Sequence, residues 1–138
     1  MTKLTRFGVS LEEDLLSQFD RLITSRGYKN RSEAIRDLIR EHLVQEAVEK
    51  NKTVVGTLTM IYDHHRPKLS EKLIDAQHRA AAKVLAATHV HLDHHNCLEV
   101  IIMKGKAGDV RKFADQLLSL RGVNHGRLVI TSTATHPS

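Results

Sequence analysis

The polarity of the chain changes its period within the first fifty residues. Residues 6–11 alternate between apolar side chains and polar or small ones, which is the period of a half-buried β-strand. After this segment the apolar residues recur every three or four positions, which predicts a helix that ends at Gly27. Asn30, followed three residues later by Glu33, has the spacing of a capping box and predicts a second helix to about Glu49.

A polar stretch, Asn51-Lys52-Thr53, predicts a boundary between two modules, residues 1–50 and residues 51–138. Beyond it the pattern predicts six elements in the order βαββαβ. Their expected ranges are 54–62, 67–85, 88–93, 97–104, 108–120 and 127–132. This order is that of the split βαβ, or ferredoxin-like, fold, so the predicted fold class is α+β.

The composition of the chain indicates its cellular compartment and favours oligomerisation. The apolar runs are far shorter than the ~20 residues that span a bilayer, and the N-terminus lacks a signal-peptide core. A single cysteine fits a reducing compartment, so we expect a cytoplasmic protein without a membrane partner. The net charge of +5 identifies no DNA-binding half, because residues 1–50 are electrically balanced. Domains below ~70 residues are hard to stabilise alone, so oligomerisation is expected if the chain forms two modules.

The N-terminal strand has two unpaired edges and would pair with a copy of itself, and such a two-stranded ribbon fits the major groove of DNA. The run GYKNRSEAIRDLIR, residues 27–40, resembles the ribbon-helix-helix repressors. That resemblance implies that the outward side of the strand reads bases and that the start of the second helix holds a phosphate. The residues concerned are Arg6, Gly8 and Ser10 for bases, and Asn30 and Ser32 for phosphate. Gly8 departs from the polar residue usual at its position, which affects one base contact.

The candidate chemistry lies in the run THVHLDHHNCLE. His89 and His91 are two apart on a predicted strand, so they share a face about 6.6 Å apart, and a turn brings Cys97 back beside them. A thiolate with imidazoles selects nickel, copper, zinc or cobalt over magnesium and calcium. A closed site needs a fourth ligand, and His78 on the preceding helix is the best candidate.

The predicted fold also suggests which chain supplies that fourth ligand. In a ferredoxin-like fold both helices cover the same face of the sheet. If Val90 and Leu92 pack under those helices, the two histidines beside them point from the opposite face. We then expect a partner chain, packed on that open face, to supply His78.

Four candidate ligands stand in an ordered spacing: His78, His89, His91 and Cys97. This spacing, together with the run RGVNHGRL near the C-terminus, resembles the nickel-responsive NikR repressors. The resemblance implies a ribbon-helix-helix module followed by an ACT-like domain, in a homotetramer that is a dimer of dimers. It also implies one Ni2+ per subunit, held in a square plane by three of these residues from one subunit and His78 from another.

The same resemblance implies further roles. Gln77 and Glu99 would orient the ligands of the nickel ion. Glu33 and Asp37, one turn apart on the second helix, would hold K+ or another cation between the modules. The pair at positions 64 and 65 matches an auxiliary histidine region of the family only in part.

The function implied is a nickel-responsive transcriptional repressor that binds double-stranded operator DNA and regulates nickel uptake. An enzyme with Glu99 as the base is disfavoured, because protein side chains would fill all four positions around the metal. The alternative is a ribbon-helix-helix regulator or antitoxin that responds to copper, zinc or an amino acid.

Overall fold

The computed structural model describes residues 3–132 and consists of two compact units, with the division of the chain between Ile39 and Arg40. We call them the N-terminal and the C-terminal unit. The elements in chain order are α1 (Glu13–Ser25), α2 (Arg31–Glu49), β1 (Thr53–Asp63), α3 (Leu69–Arg79), β2 (Lys83–His91), β3 (Asn96–Lys106), α4 (Ala107–Leu118) and β4 (Val123–Thr131). The predicted order βαββαβ after α2 is confirmed. Among residues 3–132, no helix combines the length and the apolar character needed to cross a membrane.

Residues 3–12 form neither helix nor strand in the single chain, so the strand expected over residues 6–11 is absent from it. The physical reason is that a strand takes its hydrogen bonds from a neighbouring strand, and one copy of this segment supplies none. Its apolar side chains therefore remain in solvent, with Phe7 73% exposed and Val9 58% exposed.

The two N-terminal helices bury little apolar surface, since Ile23 and Ala34 are their buried apolar residues in the described structure. The guanidinium of Arg31 donates two hydrogen bonds of 2.9 Å to the carboxylate of Asp20, which joins α1 to α2. Asn30 caps α2 as predicted, because its Oδ1 accepts a 2.8 Å hydrogen bond from the N–H three residues further on.

The C-terminal unit is built on a four-stranded antiparallel sheet in the order β2-β3-β1-β4. One face of the sheet and the buried sides of α3 and α4 form the core. Its largest buried side chains are Tyr62, Phe113, Leu58, Met60, Leu69, Ile101, Met103 and Leu117. Strand β2 lies at one edge of the sheet.

The third helix is shorter than predicted. It ends at Arg79, and residues 83–87 pair with β3 although the alanine-rich sequence there has a high helix propensity. Tertiary packing decides the outcome, because Ala82 is buried against the backbone of β3. A Cβ at Gly105 would lie 3.1 Å from the Cα of Ala82. Strand β4 likewise begins earlier than predicted, at Val123.

Candidate metal centre

The hairpin of β2 and β3 sets the geometry of the candidate site. In its register His91 lies opposite Cys97, and His89 lies opposite Glu99. Residues directly opposite in an antiparallel pair project to the same face of the sheet. Cys97 and Glu99 are buried, at 0% and 8% exposure, so all four side chains lie on the helix-covered face.

This arrangement corrects one expectation. We expected Val90 and Leu92 to pack under the helices and the histidines between them to point to the open face. The two apolar residues are instead exposed, at 44% and 51%. The register with the buried residues of β3 overrides the apolar alternation of β2, because an edge strand can expose apolar side chains that later meet another chain.

The distances within the site suit a metal ion. The Nδ1 atom of His91 lies 3.4 Å from the Sγ atom of Cys97. Metal bonds of ~2.0 Å to nitrogen and ~2.3 Å to sulfur place two adjacent ligand atoms about 3–3.5 Å apart. The rings of His89 and His91 are 5.2 Å apart between centroids. A borderline or soft ion therefore fits between His91 and Cys97 without a large rearrangement. His89 lies beside them but is not in the group whose ligand atoms all lie within 4.8 Å of one another.

The thiol of Cys97 needs a metal ion or a base to ionise. Burial raises the pKa of this thiol, and the carboxylates of Asp63, Glu99 and Asp93 raise it further. In the metal-free chain the sulfur is thus protonated at neutral pH. A metal ion displaces this proton, because only the thiolate is a good ligand.

Sequence reasoning gave no role to His64, which lies beside this pair. His64, His91 and Cys97 each offer a ligand atom within 4.8 Å of the others. The Nδ1 atom of His64 is buried and has no hydrogen-bond partner among residues 3–132. Burial is also the main cause that lowers the pKa of His64, and the neutral imidazole it favours is the form that binds metals. The predicted order of elements could have indicated this position of His64. Because β1 pairs with β3, the end of β1 lies beside the turn of the β2–β3 hairpin.

A network of hydrogen bonds connects Gln77, Glu99 and Tyr62 with the candidate ligand His89. The side-chain amide of Gln77 donates to Glu99 Oε2 at 3.3 Å, as expected of two residues that orient ligands. The hydroxyl of Tyr62 donates to Glu99 Oε1 at 3.3 Å and lies 2.9 Å from the Nδ1 atom of His89. Tyr62 is a residue that sequence reasoning missed.

The structure does not bring His78 into this group. It is exposed in the last turn of α3, and the one cluster of three or more metal-binding groups within residues 3–132 contains His64, His91 and Cys97. Further imidazoles surround the neighbouring loops, where the ring of His65 lies 5.3 Å from that of His94 and 5.4 Å from that of His95.

The predicted DNA-reading residues Arg6, Gly8 and Ser10 are all exposed in the extended N-terminal segment. Ser32 is exposed in the first turn of α2, directly after the cap. The two residues expected to hold a second cation have other partners. Asp37 accepts a hydrogen bond from the hydroxyl of Tyr28, and the carboxylate of Glu33 accepts one from the N–H of Lys29 at 3.3 Å.

Comparison with known proteins adds two family matches. Residues 55–131 match the family model of the NikR C-terminal nickel-binding domain, and residues 5–46 match that of the ribbon-helix-helix proteins of the copG family. Together they bear out the predicted fold class.

Several relatives match over nearly their whole length. Proteins named as nickel-responsive regulators are 52% identical in Trichlorobacter lovleyi and 54% identical in Solibacter usitatus, each with 96% of both chains covered. One from Thermococcus kodakarensis is 51% identical over 95% of this chain and 96% of its own. The ACT domain of a GTP pyrophosphokinase from Chlorobium tepidum has a TM-score of 0.48 at 8% identity, covering 56% of this chain and 100% of that structure.

Proposed function

Because the chain belongs to the family of nickel-responsive regulators, we propose that it is a DNA-binding repressor whose operator affinity rises when Ni2+ binds between subunits. It is a regulator and not an enzyme. Its site of action is cytoplasmic DNA, and the gene it represses serves nickel uptake.

In this proposal His89, His91 and Cys97 of one subunit bind the ion. The observation that carries it is the 3.4 Å approach of His91 Nδ1 to Cys97 Sγ on the helix-covered face, with the ring of His89 beside them. This face is open at the sheet edge, since β2 is an edge strand and the side chain of His89 is 43% exposed. A second subunit can therefore reach the donors there with His78, which is exposed on its own helix.

Assembly in this proposal covers apolar surfaces that are exposed in the single chain. On the sheet face opposite the helices, Val90, Ile102 and Val129 are 44%, 37% and 58% exposed. In the N-terminal unit, residues of the extended segment line an apolar groove of about 590 Å3 together with Leu16, Phe19 and Ile35. We propose that a second copy covers each surface, which gives a dimer through the groove and a tetramer through the sheet face.

The paired N-terminal segments would form the ribbon that enters the major groove, with Arg6, Gly8 and Ser10 towards the bases. The first N–H groups of a helix have no partner within it, and its positive end attracts anions. Asn30 occupies one of these groups through its cap, so the backbone near Ser32 is left to contact a phosphate.

A bound ion joins two subunits and so stabilises the subset of arrangements in which both contribute ligands. If DNA binds that subset more tightly than the others, metal and operator each raise the affinity for the other by the same factor. Glu99 and Gln77 keep the ligands in place by their hydrogen bonds, and the cation proposed at Glu33 and Asp37 would add a further link.

The test is to mix two inactive variants, His78→Ala and Cys97→Ala. A mixed pair contains one complete site, built from the intact half of each chain, and one site broken twice. Random pairing makes half of the pairs mixed, so about one quarter of the nickel sites should return. Nickel content is measured after unfolding and refolding the two chains together, with the thiolate-to-nickel absorption band as a second readout.

The matched control mixes Cys97→Ala with His91→Ala. Both changes break the same half of the site, so this mixture should regain no nickel. No recovery in the first mixture, when mixed oligomers have formed, would show that the ligands come from a single chain. Equal recovery in both mixtures would show that His91 and Cys97 do not belong to the same half of the site. A wild-type chain that binds no nickel would refute the metal site itself.

A further inference from the structure

The least expected member of the site is Tyr62, near the end of β1. Its side chain is 2% exposed, and its position in the register is directly opposite Cys97. Its ring meets that of His89 edge-on, with centroids 5.9 Å apart and planes inclined by 70°. The hydroxyl of Tyr62 is within hydrogen-bond distance of the Nδ1 atom of the candidate ligand His89.

Counting protons decides the direction of these hydrogen bonds. A phenol has a single proton, so the hydroxyl of Tyr62 can donate only one hydrogen bond. An ionised carboxylate can only accept, and Glu99 Oε1 lies 3.3 Å from the phenol oxygen. If the phenol donates to Glu99, its oxygen is left to accept a hydrogen bond from His89.

The position of Glu99 supports the same assignment from the other side. Its Oε1 atom is 3.5 Å from the Nδ1 atom of His89. A bare nitrogen lone pair would face that negative charge, whereas an N–H group is attracted by it. The proton of the neutral imidazole therefore belongs on Nδ1, and the lone pair on Nε2.

We propose that Tyr62 is a positioning residue that, with Glu99, holds His89 as the Nδ1–H tautomer and presents its Nε2 atom to the metal ion. This inference rests on the proposed nickel site and adds the device that prepares one ligand for it. A free neutral imidazole populates two tautomers. When the protein already holds the Nδ1–H tautomer, the metal ion does not have to select it. Partners of this kind are worth about 10–100-fold in metal affinity.

The first experiment needs no variant. Long-range nitrogen–proton NMR spectra of the metal-free protein, recorded above the ordinary imidazole pKa of about 6.5, report which ring nitrogen of His89 carries the proton. We expect Nδ1–H. A predominant Nε2–H form would overturn the proposal, however any variant behaves.

The second experiment compares Tyr62→Phe with Tyr28→Phe. Tyr28 lies in the N-terminal unit, and its hydroxyl contacts Asp37 and no histidine. We expect Tyr62→Phe to shift His89 towards a tautomer mixture and to weaken nickel binding, measured against a competing chelator, by about 10–100-fold. Tyr28→Phe should change neither. Weaker binding with an unchanged His89 tautomer would mean that the hydroxyl acts in another way than by fixing the tautomer, and would also overturn the proposal.

The nickel site itself is checked in parallel. If wild-type protein binds nickel tightly and Cys97→Ala does not, the proposed function stands whatever Tyr62→Phe shows. In that case unchanged nickel affinity in Tyr62→Phe refutes the positioning role alone. Circular dichroism and the unfolding midpoint of each variant verify that the comparison is between folded proteins.

Discussion

Helix α3 carries Gln77 and His78, yet only two of its residues are buried, Leu69 and Leu73, against five in α4. Leu73 is 2% exposed, so Leu73→Ala removes a fully buried side chain. The lost burial is worth about 1.5–3 kcal/mol, and the cavity left behind raises the total to about 2–5 kcal/mol. Because α3 has one other anchor, we expect much of this loss to appear as local opening of the helix.

The neighbouring residue provides the control. Ile74 is 55% exposed, so Ile74→Ala should lower the free energy of unfolding by only about 1 kcal/mol. Urea unfolding at one fixed protomer concentration measures both variants, and hydrogen exchange shows whether the amides of α3 lose protection before those of α4. Nickel affinity should fall in Leu73→Ala, since Gln77 and His78 move with the helix. Equal destabilisation by both substitutions, with sedimentation showing unchanged assembly, would refute the two-anchor reasoning.

Two further predictions concern the N-terminal segment and the sheet. Arg6→Ala should cost about 1–3 kcal/mol of discrimination between operator and scrambled DNA at fixed salt, because arginine can contact guanine with two hydrogen bonds; equal weakening on both DNAs would confine Arg6 to phosphate. Gly126→Ala should destabilise the fold by about 1–3 kcal/mol in thermal or urea unfolding, because the new Cβ would lie 2.9 Å from the carbonyl oxygen of Thr59. Gly8→Ala is the control for it, because no atom of the described residues lies within 4 Å of a new Cβ there, and similar losses in both variants would contradict the steric argument.

Periodicity was sufficient to predict the order of the elements in the C-terminal unit, because each strand or helix carries its own pattern. It failed where contacts with residues distant in the sequence, or in another chain, determine the secondary structure. The alanine-rich segment before β2 has helical propensity but pairs with β3, and the segment at residues 6–11 has strand periodicity but no partner within one chain.

The candidate site shows the same division. The closeness of His91 and Cys97 follows from a short hairpin and was predictable from spacing. The contributions of Tyr62 and His64 depend on the pairing of β1 with β3, which joins residues far apart in the sequence, such as Tyr62 and Cys97. Local patterns do not encode that register. The face to which the histidines point was predicted wrongly because it follows the buried residues of β3 opposite them and not the apolar alternation of β2.

The extended segment at residues 3–12 also has a consequence for the amount of protein in the cell. An unpaired copy presents this stretch, with Phe7 and Val9 in water, in the form that proteases accept as a substrate. Pairing through the segment, as proposed, would withdraw it from digestion. Unpaired chains would then be cleared faster than assembled ones, so the protein would be degraded fastest when it is scarce. Pulse-chase half-lives should accordingly lengthen as expression rises.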